Sequence, residues 1–321
     1  MDFRPPPVLR SPHLQTLLSS RLVRGGDGVG TDLMDRAETV TLHCRGGVRL
    51  QALVNAAADP SAPLVVLIHG WLGRADSPYV RRVSTALHEA GFAVARLLLR
   101  DHGDTAHLNE EMFNAARIDE VADACNALAA RFAPVPAGIV GFSLGGNFAL
   151  RLAAHPGLDS AFRSTLAVCP VLDPETSVLE LDRGWAAYRL YFLGKWRRAF
   201  ADKQAAFPDR YDFADARRLS LVGTLTDYFV SRHTPFRDAR EYYGHYTLTP
   251  DFLGRFRMPV RILATEDDPV LPAEHARRLL SAAGGEVVTL VRHGGHCGFI
   301  EDWQLRSALD DYAVRFFASA C

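Results

Sequence analysis

The sequence predicts an α/β fold with a mostly parallel central sheet, helices on both faces and a helical insertion. Three observations carry that expectation. Short apolar runs alternate with helix-like segments from residue 63 to 171, and the alternation resumes at residue 260. The stretch between, residues 172–257, is far longer than an ordinary αβ connection. The apolar runs are continuous, as strands buried on both faces of a parallel sheet read.

Residues 1–37 are polar, proline-rich at Pro5-Pro6-Pro7 and glycine-rich at Gly25-Gly26-Asp27-Gly28. They read as an arm packed on the body, with a short helix near His13 to Ser20. Thr39 to Cys44 and Val48 to Asn55 flank Gly46-Gly47, the pattern of an antiparallel hairpin. Pro63 to Ile68 is the first buried parallel strand. A helix follows from Ser77-Pro78 to Ala90, and Gly91 ends it before the strand Phe92 to Leu98. Arg117 to Phe132 has helical composition, Ala137 to Val140 is a strand, and a helix runs from Ser143 to about His155. Ser164 to Cys169 is the next strand. After the insertion come strand Val260 to Ala264, a helix from about Pro272 to Ala283, strand Val287 to Val291 and a last helix from Asp302 to Ala318. The division expected is an arm (1–37), a core (38–171 and 258–321) and a helical cap (172–257) over the carboxyl ends of the strands, where open α/β sheets place their sites.

Composition excludes several classes. The chain has 321 residues, 48% hydrophobic and 23% charged, and a formal net charge of -1, so no broad field draws it to nucleic acid or an acidic surface. Its five cysteines are widely spaced, form no CxxC pair and suggest no disulfide framework. No run of 18 or more apolar residues and no signal-peptide pattern is present, and a cytoplasmic location is the expectation.

The strongest local signal is Gly141-Phe142-Ser143-Leu144-Gly145-Gly146. It matches G-x-S-x-G, follows a strand and leads into a helix, the context in which this motif carries a nucleophile in the α/β-hydrolase fold. The glycines suit a strained turn with chain packed close by. Ser143 is therefore the expected nucleophile. An acid and a histidine should follow in that order. The strand ending at Ala264 runs into Thr265-Glu266-Asp267-Asp268-Pro269, and the strand ending at Val291 runs into Arg292-His293-Gly294-Gly295-His296. Asp268 is preferred to Asp267 because it begins the segment that turns into the next helix. His296 is preferred to His293 because Gly294-Gly295 can carry its side chain back towards Ser143. The glycine-rich turn His69-Gly70-Trp71-Leu72-Gly73 can aim a backbone N–H at a tetrahedral oxygen, with Leu144 N–H as the second donor. Trp71 is the first choice there, Leu72 the alternative, and His69 is expected to fix the turn.

These segments resemble the YheT-like branch of α/β-hydrolases, which includes the mammalian abhydrolase-domain acylglycerol lipases. The carrying features are His13-Leu14-Gln15-Thr16, His69-Gly70-Trp71-Leu72-Gly73 with Ser77-Pro78-Tyr79, the Ser143 motif with Asn147, Asp267-Asp268-Pro269, and Gly294-Gly295-His296-Cys297-Gly298-Phe299. The resemblance implies carboxylic-ester hydrolysis, with Ser143, Asp268 and His296 at the matching positions. Where many relatives have Arg-Gly after the second core strand, this chain has Arg100-Asp101-His102-Gly103.

The expectation is a serine carboxylesterase acting on short- to medium-chain esters through an acyl-enzyme, with a small-molecule ester as its partner and no cofactor. His69, Asp101, His102 and Asp104 lack a recognised metal spacing, so no metal is expected. The same residues would serve an acylglycerol lipase, a thioesterase or an alcohol acyltransferase. A ligand-binding relative without turnover is the alternative from another class.

Overall fold

The computed structural model describes residues 1, 3–21 and 31–320, so the glycine-rich run at 25–28 and Cys321 lie outside the described residues. Helix α1 (Pro12–Arg21) and the short α2 (Thr31–Asp35) lie in the arm. Strands β1 (Glu38–His43) and β2 (Arg49–Asn55) form the expected hairpin around a 3-10 turn at Arg45–Gly47. Then follow β3 (Leu64–Ile68), α3 (Pro78–Glu89), β4 (Ala93–Leu98), α4 (Ile118–Phe132), β5 (Ala137–Phe142), α5 (Leu144–Ala153) and β6 (Phe162–Val168). Four helices come before the next strand: α6 (Pro174–Arg183), α7 (Ala186–Ala206), α8 (Val222–His233) and α9 (Ala239–Gly244). The chain closes with β7 (Val260–Thr265), α10 (Ala273–Ala283), β8 (Val288–Val291) and α11 (Ala308–Ala320).

The eight strands make one sheet in the order β1-β2-β4-β3-β5-β6-β7-β8. β2 is antiparallel to both neighbours, and every pair from β4-β3 to β7-β8 is parallel. All five residues of β3 are buried, and the period of two divides them between faces. Leu64, Val66 and Ile68 pack with Val121, Leu128 and Phe148 from α4 and α5. Val65 and Leu67 pack with Val80, Val83 and Leu87 of α3 and with Leu309, Ala313 and Phe317 of α11. Burial of this kind stabilises by roughly 1.5–3 kcal/mol per large apolar side chain. It makes a rigid platform, and the parallel strands all end on the edge where the loops after β3, β5, β7 and β8 emerge.

The last helix begins at Ala308, six residues later than the composition of 302–318 suggests. Asp302 explains the difference. Its carboxylate accepts the Arg306 N–H, Leu305 takes φ 63°, and Ile300 bridges to Ser307, so 302–306 is a closed turn that a helix cannot include. Between β6 and β7, Trp196, Phe200, Tyr228, Phe229, Tyr242, Tyr243 and Tyr246 are buried. Phe200 stacks on Phe213 at 4.3 Å, and these rings are continuous with the core on the α4–α5 face of the sheet. Trp185 and Tyr191 remain exposed. Among the described residues, no helix is long and apolar enough to cross a membrane.

Candidate active site

Ser143 stands between β5 and α5 with φ 55° and ψ -117°, a conformation costly for any residue with a Cβ. The strain persists because neighbouring backbone leaves the turn no room to relax. A Cβ at Gly145 would lie 2.2 Å from Ile68 O and 2.4 Å from His69 O, so the first turn of α5 sits directly against the end of β3. Ser143 N–H donates to Val168 O at 2.9 Å, and Cys297 Sγ reaches the same carbonyl at 3.8 Å. The Ser143 turn and the loop carrying His296 therefore meet over the end of β6.

The two expected acid–histidine choices resolve into two separate pairs. Asp268 Oδ2 lies 2.7 Å from His296 Nδ1, while its Oδ1 accepts the N–H groups of Val270 and Leu271 at 2.8 and 2.9 Å. Asp268 is held on both oxygens and is only 4% exposed at its side chain. Asp267 turns the other way. Its Oδ1 accepts Gly295 N–H at 2.9 Å, and its Oδ2 stands 3.4 Å from His293 Nδ1. Asp267 thus shapes the histidine loop through Gly295 and faces His293 instead of His296. Burial alone would push the His296 imidazole down. The Asp268 carboxylate, the adjacent Cys297 and the Asp268 hydrogen bond outweigh it and raise His296 from 6.5 to about 9.

The turn after β3 is held by groups that no local motif reveals. His102 Nδ1 donates to Arg100 O at 2.7 Å, which leaves Nε2 as the acceptor for Leu72 N–H at 3.0 Å. Burial pushes His102 down to about 4, so the ring is neutral and that acceptor is present at working pH. Leu72 sits at φ 53°, and its N–H is committed to His102 while that bond holds. Gly70 N–H donates to Tyr79 Oη and Gly73 N–H to Gly70 O. Among the described residues, no hydrogen bond engages Trp71 N–H. Leu144 N–H, at the first position of α5, is one of the donors a helix leaves unpaired at its start. His69 lies beneath the turn, with Nδ1 on Gly70 O at 2.8 Å and Nε2 accepting Leu99 N–H at 3.3 Å.

The insertion reaches this turn from above. Lys195 of α7 donates to Leu72 O at 2.8 Å, and the Trp71 ring stacks on Phe192 at 5.5 Å and meets Trp196 edge-on at 4.9 Å. Sequence reasoning singled out Ser143, Asp268, His296, Trp71 and Leu144. It assigns no contact to Lys195 or Tyr79, and it offers His102 only within the departure at Arg100-Asp101-His102-Gly103 and as a metal ligand without the spacing for one. Lys195 and His102 act through contacts 123 and 30 residues away in the chain, and the local pattern around them does not reveal those partners. Cys169, His296 and Cys297 offer ligand atoms within 4.8 Å of one another, but His296 Nδ1 is committed to Asp268.

Comparison with known proteins shows the family and the fold. Residues 63–302 match the family described as the alpha/beta hydrolase fold. The chain is similar to the protein named "Putative esterase YheT" of Escherichia coli (strain K12), 25% identical over 249 residues, 77% of this chain and 73% of the relative. Among solved structures, the esterase Pf2001 of Pyrococcus furiosus superposes with a TM-score of 0.59 at 15% identity, over 92% of this chain and 96% of that one. The esterase Est1E of Butyrivibrio proteoclasticus, solved with ferulic acid bound, gives 0.55 at 18% identity over 88% and 98%. A 2-hydroxy-6-oxo-6-phenylhexa-2,4-dienoate hydrolase from Rhodococcus sp. strain RHA1 gives 0.56 at 19% identity over 88% and 99%. At these identities the structural likenesses establish the fold.

Proposed function

Because this chain belongs to the alpha/beta hydrolase fold family, we propose that it is a serine carboxylesterase acting through Ser143, His296 and Asp268. The observation that carries the reading is the 2.7 Å Asp268–His296 bond, set on loops that meet the strained Ser143 turn. Ser143 Oγ attacks the ester carbonyl and passes its proton to His296. His296 then protonates the leaving alcohol, and water repeats the sequence on the acyl-enzyme. Asp268 orients the ring and stabilises the imidazolium. Trp71 and Leu144 N–H groups receive the oxyanion, and His102 supports that assignment by occupying Leu72.

The insertion serves as a cap. Its α7 contributes Lys195, Phe192 and Trp196 to the turn that holds Trp71, and charged residues such as Arg197, Arg198 and Asp202 interrupt its apolar surface. That composition favours a bounded acyl pocket for short to medium chains, in which each buried methylene contributes about 0.8 kcal/mol until the pocket ends.

A fluorophosphonate probe together with p-nitrophenyl esters of increasing chain length tests both parts. The protein should label stoichiometrically, Ser143→Ala should neither label nor show burst acylation, and kcat/KM should peak at about C4 to C8. Turnover by Ser143→Ala near the wild-type rate would sink the nucleophile. A steady rise to the longest esters, with activation on emulsified triglyceride, would point to an acylglycerol lipase instead.

A further inference from the structure

The His13-Leu14-Gln15-Thr16 run takes no part in the proposed chemistry, yet its side chains bond the loop that carries His296, 280 residues away. Thr16 Oγ1 accepts the backbone N–H of His296 at 2.9 Å and donates its own proton to Pro12 O at 2.8 Å. Gln15 is fully buried and holds the other end of the loop. Its Oε1 accepts Ile300 N–H at 2.7 Å, and its Nε2 donates to Ile300 O at 2.8 Å and Leu9 O at 2.6 Å. One turn of α1 therefore bonds the histidine loop at residues 296 and 300. Gly295 is shaped to that turn: it sits at φ 55°, and a Cβ there would lie 2.5 Å from Pro12 O and 2.7 Å from Thr16 Oγ1.

We propose that Thr16 and Gln15 are positioning residues, which set the backbone of His296 and through it the aim of its imidazole at Ser143. The inference rests on the serine-hydrolase reading above. Asp268 restrains the ring through Nδ1 alone, so where the opposite ring nitrogen points still depends on where the loop places the His296 backbone. A neutral threonine hydroxyl that both accepts and donates pins that backbone without adding charge beside the imidazole. Tyr188 of α7 meets the same turn through His13 Nδ1 at 3.0 Å, so the cap and the histidine loop share one anchor.

Thr16→Val keeps the side-chain shape and removes the hydroxyl, whereas Thr16→Ser keeps the hydroxyl. Misplacing a catalytic group by about 1 Å costs on the order of 100-fold. Thr16→Val should therefore lower kcat about 10- to 100-fold, with KM within about twofold, and Thr16→Ser should recover most of the loss. Gln15→Met should give the same kcat-selective loss. A second readout does not depend on turnover. In a Ser143→Ala background, the downfield proton resonance of the His296–Asp268 bond should shift or broaden with Thr16→Val and return with Thr16→Ser. Wild-type kcat and an unmoved resonance in Thr16→Val would overturn the proposal, as would a loss that Thr16→Ser does not recover. Full turnover by Ser143→Ala alone would instead remove the nucleophile, leaving the resonance to judge the loop by itself.

Discussion

Asp267 and Asp268 are neighbours in the chain, yet each faces a different histidine. Asp268→Asn should leave the loop in place, since an amide oxygen can still accept from Val270 and Leu271, but it removes the charge that orients and stabilises protonated His296. A kcat loss of about 10⁴ is the measure of that change in the best-characterised triad. Asp267→Asn should cost far less, and steady-state kinetics of the two variants would show a reversed order if the assignment were wrong. The raised His296 pKa also fixes two signs. The proposed base is the neutral ring, so kcat/KM should climb with pH and keep climbing above 6.5 towards about 9. The folded state holds this proton more tightly than the unfolded state. Its stabilising contribution is therefore complete below about 6.5 and is lost as pH rises through about 9. Without the Asp268 charge, burial dominates and the ring's pKa falls. The stability advantage of wild type over Asp268→Asn should thus shrink between pH 6.5 and 9, as read by denaturant titration.

At the scale of elements, the junction of β5 and α5 holds Ser143 in its strained conformation. The helix starts so close to β3 that a single methyl group has nowhere to go at Gly145, where the carbonyl oxygens of Ile68 and His69 would stand within 2.4 Å of it. Gly145→Ala must push α5 away from the sheet or distort the Ser143 turn. Overpacking against backbone costs about 1–3 kcal/mol or more, and the same displacement moves Leu144 N–H, a proposed oxyanion donor. Gly145→Ala should show lowered denaturation midpoints together with slower labelling by the fluorophosphonate probe. Wild-type labelling kinetics would mean that the turn tolerates more room than its contacts indicate. The β3 turn is supported differently, through neutral His102 on one side and Lys195 on the other. Glycine matters within the turn as well, since a Cβ at Gly73 would lie 2.8 Å from Gly70 O.

Across the whole molecule, the helical insertion is tied to the sheet by a buried charge. Lys203 near the end of α7 is fully buried and donates to Asp101 at 2.9 Å and to the carbonyls of Ala106, Asn109 and Glu111. Asp101, also nearly buried, accepts Phe113 N–H at 2.7 Å in addition. Lys203→Met would strand the Asp101 carboxylate and three carbonyls, and removal of one partner of a buried pair costs about 3–5 kcal/mol. The variant should unfold at correspondingly lower denaturant, and adding Asp101→Leu should recover part of the loss. A Lys203→Met variant as stable as wild type would show that water replaces the ammonium and that the insertion is anchored elsewhere.

The order of the core strands and helices, the buried parallel sheet and the segments of the proposed site at Ser143, Asp268 and His296 are all legible along the chain. Each depends on local properties: apolar runs of strand length, a glycine-flanked serine between strand and helix, and polar loops directly after strand ends. What only the tertiary structure decided are the pairings between those loops. Asp268 meets His296 across 28 residues, His102 occupies Leu72 N–H across 30, and Lys195 reaches Leu72 O across 123. The arm motif at 13–16 was visible as a pattern, but its hold on the His296 loop spans 280 residues. Even the delayed start of α11 follows from a turn at Asp302 that composition reads as helix. Hydrogen-bond partners are chosen by which backbone groups the packed sheet leaves facing each other. That choice is made in three dimensions, after local periodicity has already set the elements.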